Sequence, residues 1–173
     1  MTRRIITSLL LLFCLSMSLA AQSLQGSWRT YFDDPDNPNG AFMYLTFDNN
    51  GGAQWKMTMR MEDVEVGQMD FSFHIKATYT HADKQLVIRF DTKSVRLQID
   101  RVAWSGELAR EFFGNPELEG QVKQLMMNEL EKQKDEFAKS FPTEWNCTIV
   151  DLTDNTLMFN DGTKTTTWSR FRE

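Results

Sequence analysis

The sequence contains little cysteine, histidine and proline, and the scarcity of cysteine and histidine rules out particular kinds of protein. The 173 residues include two cysteines, two histidines and four prolines. Cys14 lies in an apolar N-terminal segment, so only Cys147 remains in the rest of the chain, and a framework of internal disulfides is excluded. We interpret Cys147 as a small buried hydrophobic residue rather than a reactive thiol. The fold must therefore be stabilised by side-chain packing.

The two histidines offer little basis for catalysis or metal binding. His74 falls on the polar side of an alternating segment and His81 at a turn, so we expect both in solvent. Cys147 and His74 would need a third group to act as nucleophile and base, and none stands out. The oxygen-rich segment 33–40 lacks the ligand spacing of a calcium loop, so a solvated turn is favoured over a calcium site. We predict a protein that is not an enzyme and that contains no metal and no cofactor.

Residues 1–21 have the pattern of a secretory signal peptide. A basic head at Met1–Arg4 precedes the apolar segment Ile5–Leu19, and Ala20 and Ala21 supply a small-residue cleavage site. The apolar segment is shorter than the roughly 20 residues of a membrane-spanning helix. We therefore expect export to the periplasm or beyond the cell, with no membrane insertion after the signal peptide is removed.

The charge balance argues against nucleic acids and anionic membrane surfaces as partners. The formal net charge is −5, and the leader contains two arginines and no acidic residue, so the remainder is more acidic still. Nucleic acids and anionic membrane surfaces attract basic proteins. We predict no nucleic-acid partner, and the sequence identifies no protein partner.

Apolar and polar residues alternate through most of the body of the chain. From Ala53 to Glu62 every odd position is apolar and every even position is polar, the period-two pattern of a half-buried strand. Turn residues separate this segment from others of the same kind, and we predict about nine strands in all. The strands lie near residues 24–32, 42–47, 53–62, 69–79, 86–90, 95–99, 145–149, 157–159 and 163–171. Their common apolar face must close into a barrel or pack on a second layer.

A helical insertion interrupts the strands at about residues 107–140. Asn115 and Pro116 read as an N-cap and a first-turn proline, and Gly114 as the end of a short preceding helix. Apolar residues recur on one helical face, which predicts a helix that covers the barrel or sheet. These residues are Val122, Leu125, Met126, Leu130 and Phe137. We predict a single domain over residues 22–173.

Three short motifs carry a resemblance to a known family. They are Leu24–Trp28, of the form L-x-G-x-W, then Tyr44–Phe47, and the hairpin Leu152–Leu157. With Arg170 on the last strand, they resemble the lipocalins of the calycin group, and more closely the exported lipocalin-like domains common in Bacteroidetes. The resemblance implies an antiparallel up-and-down barrel of about eight to nine strands. It also implies that Trp28 crosses the closed end, that Arg170 packs on its ring, and that Gly26 lets the chain pass close beneath.

The methionines and aromatic residues of two consecutive strands indicate a candidate ligand-binding wall. Its residues are Trp55, Met57, Met59, Met61, Phe71, Phe73 and Ile75. Ordinary core filling is the favoured interpretation of the methionines, ahead of an adaptable apolar wall and well ahead of a Cu(I) site.

Two functions therefore stay open. In the first, an exported lipocalin-like protein holds a hydrophobic small molecule in the barrel. In the second, the barrel is filled and acts through its surface as an inhibitor or envelope interaction protein. An internal cavity of about 300 Å³ or more would favour the first function.

Overall fold

The computed structural model describes residues 23–34, 37–64, 67–105, 107, 109–112 and 114–172. The predicted signal peptide lies outside the described residues. Within these residues, eight strands and two helices follow one another. They are β1 (Gly26–Asp34), β2 (Asn37–Phe47), β3 (Gly52–Asp63), β4 (Gly67–Ala82), β5 (Gln85–Trp104), α1 (Ala109–Phe112), α2 (Pro116–Ser140), β6 (Glu144–Leu152), β7 (Thr156–Asn160) and β8 (Thr165–Phe171).

The strands form one closed antiparallel barrel in chain order, from β1 to β8. Closure is made by β1 and β8, where Ser27, Trp28 and Arg29 pair with Phe171, Arg170 and Ser169. The predicted fold class is therefore confirmed: the protein is mainly β, with helices inserted before the last strands.

The barrel wall is longer on one side than on the other. β4 and β5 pair up to Gly67 and Trp104, whereas β5 pairs with β6 only over Gln85–Arg89. Strands β2 to β5 consequently extend beyond the closed part of the barrel. The helix α2 packs against β5 and contributes to the same apolar core as the inner face of the sheet.

The segment between the fifth and sixth predicted strands is a bulge rather than a turn. Lys76 of β4 pairs with Asp91 and His74 pairs with Arg96, so four residues of β5 lie opposite one residue of β4. The Ser94 hydroxyl accepts from the Lys76 backbone N–H at 2.8 Å and donates to the Asp91 carbonyl at 2.6 Å. These contacts hold the extra residues within one continuous strand, so the structure has eight strands.

Strand register explains which residues form the core. Trp28, Leu45, Trp55 and Ile75 lie directly opposite one another across β1 to β4, and all four are fully or almost fully buried. Because side chains alternate between the faces of a strand, residues two positions away share this inner face. The odd-numbered apolar residues of β3 and β4 accordingly point inward.

The long helix begins and ends where the sequence predicts. The Asn115 side chain accepts from the backbone N–H of Glu117 at 3.2 Å, and Pro116 occupies the first turn. Gly114 has a φ of 82°, a left-handed conformation that suits glycine between two helices. The helix ends at Ser140. Neither helix among the described residues combines the length and apolarity needed to cross a membrane.

Candidate functional site

The closed end of the barrel is built around Trp28. Its side chain is fully buried, and its indole Nε1 donates to the Leu24 carbonyl at 2.7 Å. The Arg170 guanidinium lies over the ring, 3.9 Å from the ring centroid. Cation–π contacts of this kind contribute about 0.5–2 kcal/mol.

Arg170 also ties two other chain segments to this end. Its guanidinium donates to the carbonyls of Gln25, of Ser23 at 3.1 Å and of Asp154 at 3.0 Å. Gly26 has a φ of 105°, and a Cβ there would lie 2.7 Å from Arg170 Nη1. A side chain at Gly26 would therefore be strained and would push the guanidinium away from its partners.

All seven residues of the predicted wall lie on the inner face of β3 and β4. Register pairs join them across the two strands, with Trp55 opposite Ile75 and Met59 opposite Phe71. Their exposure rises toward the β3–β4 hairpin: Trp55 and Ile75 are buried, Met59 is half-buried and Met61 is 42% exposed. The remaining members are Met57, Phe71 and Phe73.

Two phenylalanines at the end of α2 cover this wall, and we call Phe137 and Phe141 the aromatic plug. The Phe137 ring stacks on Phe73, with centroids 4.2 Å apart, and lies 6.0 Å from Trp55. The Phe141 ring meets Trp55 edge-on at 4.7 Å and Phe90 at 4.9 Å. Phe137 and Phe141 therefore occupy the space beside the wall, where a ligand was predicted to lie.

Aromatic rings continue from the aromatic plug into the barrel. Phe141 lies 6.2 Å from Trp145, which lies 6.5 Å from Phe159, which stacks on Trp168 at 5.8 Å. Among the described residues, the indole N–H groups of Trp55 and Trp168 are buried without a hydrogen-bond partner. A buried donor of this kind is costly unless an acceptor reaches it.

Cys147 belongs to the same interior. Its side chain is buried, and burial, with a smaller effect of the Asp161 charge, raises the pKa of its thiol to about 11. Because the thiolate is the reactive form, the group is protonated and unreactive at neutral pH. Cys147 faces inward beside Leu86, whereas His74 faces outward, so the two cannot act as nucleophile and base.

The outer face of the barrel carries a row of mostly basic side chains. Arg29, Tyr44, Lys56, His74 and Arg96 lie directly opposite one another across β1 to β5. We call the four basic residues among them, Arg29, Lys56, His74 and Arg96, the cationic row. The sequence shows these residues only as scattered polar positions, and the row exists because of strand register.

His74 is more enclosed than the sequence predicts. It is half-buried rather than solvated, with its Nε2 3.0 Å from the Ser72 hydroxyl and its Nδ1 3.4 Å from the Gln54 side-chain amide. Burial, and then the charge of Lys56, lower the pKa of His74, while Asp100 acts in the opposite direction. The imidazole is therefore mostly neutral at pH 7.

Lys56 and Arg96 form no ion pair with any described carboxylate, whereas Arg60 pairs with Asp70 at 2.8 Å. Lys56 Nζ lies 6.0 Å from the centre of the Tyr44 ring. Asp100 lies near them, since its charge acts on His74 and it lines a concavity with Lys56. It offsets part of the positive charge, and the remaining excess favours an anion.

Two concavities meet at His74 and Gln54 and form what we call the outer groove. One has a volume of about 480 Å³ and extends toward α2, and the other has about 290 Å³ and extends toward β8. The polar side chains that line them are Ser27, Thr46, Gln54, Lys56, His74, Lys76, Ser94, Arg96, Gln98 and Lys123.

Comparison with known proteins adds no family assignment. No protein-family model matches the sequence, and no curated protein matches it. The closed eight-stranded antiparallel barrel is consistent with the lipocalin-like fold that the sequence motifs imply, and the resemblance depends on those motifs and on this fold.

Proposed function

We propose that the protein is an exported, non-catalytic binding protein that acts through the outer face of its barrel. One observation carries the proposal: the aromatic plug packs against Trp55, Phe73 and Phe90, where a ligand inside the barrel would have to lie. The outer groove, by contrast, is open to solvent and is large enough for a small-molecule site.

The cost of displacing the aromatic plug supports this choice. Exposing a buried phenylalanine costs about 1.5–3 kcal/mol, so moving Phe137 and Phe141 out would cost up to about 3–6 kcal/mol. A ligand within the barrel would have to offset that cost before any net affinity appeared. A ligand on the outer groove has no such cost.

A second candidate function is the binding of an apolar molecule at the open end of the barrel. It is favoured by the exposure of Met61 (42%) and Phe32 (36%) and by the half-buried Met59. The unpartnered indole N–H of Trp55 could also donate a hydrogen bond to a ligand oxygen. In this case the ligand would replace the aromatic plug against the wall.

Titration with a neutral apolar dye, N-phenyl-1-naphthylamine, separates the two candidates. A neutral dye is needed because an anionic one would be attracted to the cationic row. If the protein acts from its outer face, we expect no saturable fluorescence increase with the wild type. Saturable binding of one dye per chain, displaced by fatty acids and abolished by Met59→Arg, would contradict the proposal and establish the second candidate.

A further inference from the structure

Two like charges of the cationic row lie near each other on the outer face. Lys56 and Arg96 flank the neutral imidazole of His74, about 10 Å apart on alternate strands, so they repel each other modestly. Lys56 contributes to holding the pKa of His74 down. A bound anion would relieve this repulsion.

We propose that the outer groove binds an acidic oligosaccharide, with Lys56 and Arg96 holding anionic groups of the sugar on either side of His74. The inference rests on the proposed function, because it names the ligand class of the outer face.

The spacing of the charges fits a chain of anionic groups. Neighbouring strands lie about 4.8 Å apart, so Lys56 on β3 and Arg96 on β5 are separated by about 10 Å across the sheet. Lys76 and Lys123 line the same groove toward α2. One small anion would contact only part of this surface, whereas an extended ligand with repeated acidic groups would contact all of it.

The uncharged side chains of the outer groove suit an acidic oligosaccharide better than they suit other polyanions. The side-chain amide oxygens of Gln54 and Gln98 can accept hydrogen bonds from sugar hydroxyls. At the other end, Tyr44 and Phe171 meet edge to face, 5.2 Å apart, and offer apolar surface to a sugar ring. Inorganic polyphosphate has neither hydroxyls nor apolar faces to use these groups.

The groove also differs from a peptide site in its direction. Extended peptides commonly add to a sheet by hydrogen bonding along a strand edge. The outer groove instead crosses the faces of β2 to β5, from Tyr44 through Lys56 and His74 to Arg96. An acidic peptide lying there would have no main-chain partners.

His74 makes the binding depend on pH. The charged groups around it are Lys56 on β3, Arg96 and Asp100 on β5, Lys76 on its own strand and Lys123 on α2. An anion bound beside the imidazole favours its protonated form and so raises its pKa. Affinity should therefore increase as the pH falls through the pKa of the bound state, and His74→Gln should remove that increase.

Calorimetric titration of the purified protein with hexagalacturonate tests the proposal, with uncharged maltohexaose as the neutral comparison. We expect one hexagalacturonate per chain, no binding of maltohexaose, and weaker affinity as salt rises to about 0.15 M. Lys56→Gln and Arg96→Gln should each weaken the affinity about tenfold, since each removes a charge-assisted hydrogen bond.

The matched control is Lys84→Gln. It changes the net charge equally, but Lys84 lies in the β4–β5 turn, about 25 Å along the strand from Lys76. We expect it to leave the affinity within about twofold. Thermal unfolding of each variant, expected to match the wild type or exceed it, verifies that the fold is kept.

Three results would overturn the inference. They are no binding of hexagalacturonate, an equal loss of affinity with Lys84→Gln, and equal or tighter binding of tripolyphosphate or hexaglutamate. If the neutral dye also fails to bind, each of these results overturns only the assignment of the ligand and leaves the proposed function standing. Saturable dye binding would instead contradict the proposed function, whatever the sugar result.

Discussion

Trp28→Ala should lower the free energy of unfolding by about 3–5 kcal/mol, the cost of removing a large buried aromatic side chain. The ring is fully buried at the closed end of the barrel. Its loss also leaves the Leu24 carbonyl without the indole donor and the Arg170 guanidinium without the ring below it. Urea unfolding monitored by circular dichroism measures the effect.

A second substitution, at Arg170, tests the same closed end of the barrel. Arg170→Ala should cost about 2–3 kcal/mol, because it removes a cation–π contact and charged hydrogen bonds to backbone carbonyls. Arg172→Ala, an exposed neighbour, should change stability by less than about 0.5 kcal/mol. The Trp28 and Arg170 effects should be non-additive because the groups touch. If the two effects on stability were simply additive, the stacking of Arg170 on Trp28 would not contribute to barrel closure.

Phe141→Ala should lower the free energy of unfolding by about 2–4 kcal/mol, somewhat less than a fully buried phenylalanine because the side chain is half-buried. The ring contacts Trp55, Phe90, Phe137 and Trp145. Its removal therefore deprives all four of these rings of a packing partner. Urea unfolding again provides the measurement.

Leu125→Ala is the matched control for the aromatic plug. Leu125 lies on the same helix but is 65% exposed, so we expect a change of less than about 0.5 kcal/mol. Phe141→Ala should also create a small apolar cavity that admits a benzene-sized molecule. An unchanged stability with Phe141→Ala would mean that the residue does not fill the barrel.

The strands and their inner face were predictable because they depend on local alternation. The odd positions from Ala53 to Met61 face inward, as the period-two pattern requires. The continuous strand β5 was not predicted, because Asp91–Lys93 has turn-like composition. The Ser94 hydroxyl accepts from the Lys76 backbone N–H and donates to the Asp91 carbonyl, which no sequence pattern reveals, and these bonds hold the segment in the sheet.

The position of the helix and the cationic row both required tertiary information. An amphipathic pattern identifies most of the apolar face of α2, although Leu125, predicted on that face, is 65% exposed. The pattern does not tell which surface the face covers. The sequence likewise shows Lys56, His74 and Arg96 as isolated polar positions. Only the pairing of β3 with β4 and of β4 with β5 places them side by side.

The central claim is that the barrel interior is occupied by the chain's own helix, and a nuclear Overhauser spectrum of the aromatic protons tests it most directly. The account predicts cross-peaks between the rings of Phe137 and Phe73 and between those of Phe141 and Trp55, whose centroids lie 4.2 and 4.7 Å apart. These cross-peaks should persist in the presence of hexagalacturonate. Their absence, together with rapid amide exchange at the end of α2, would contradict the account.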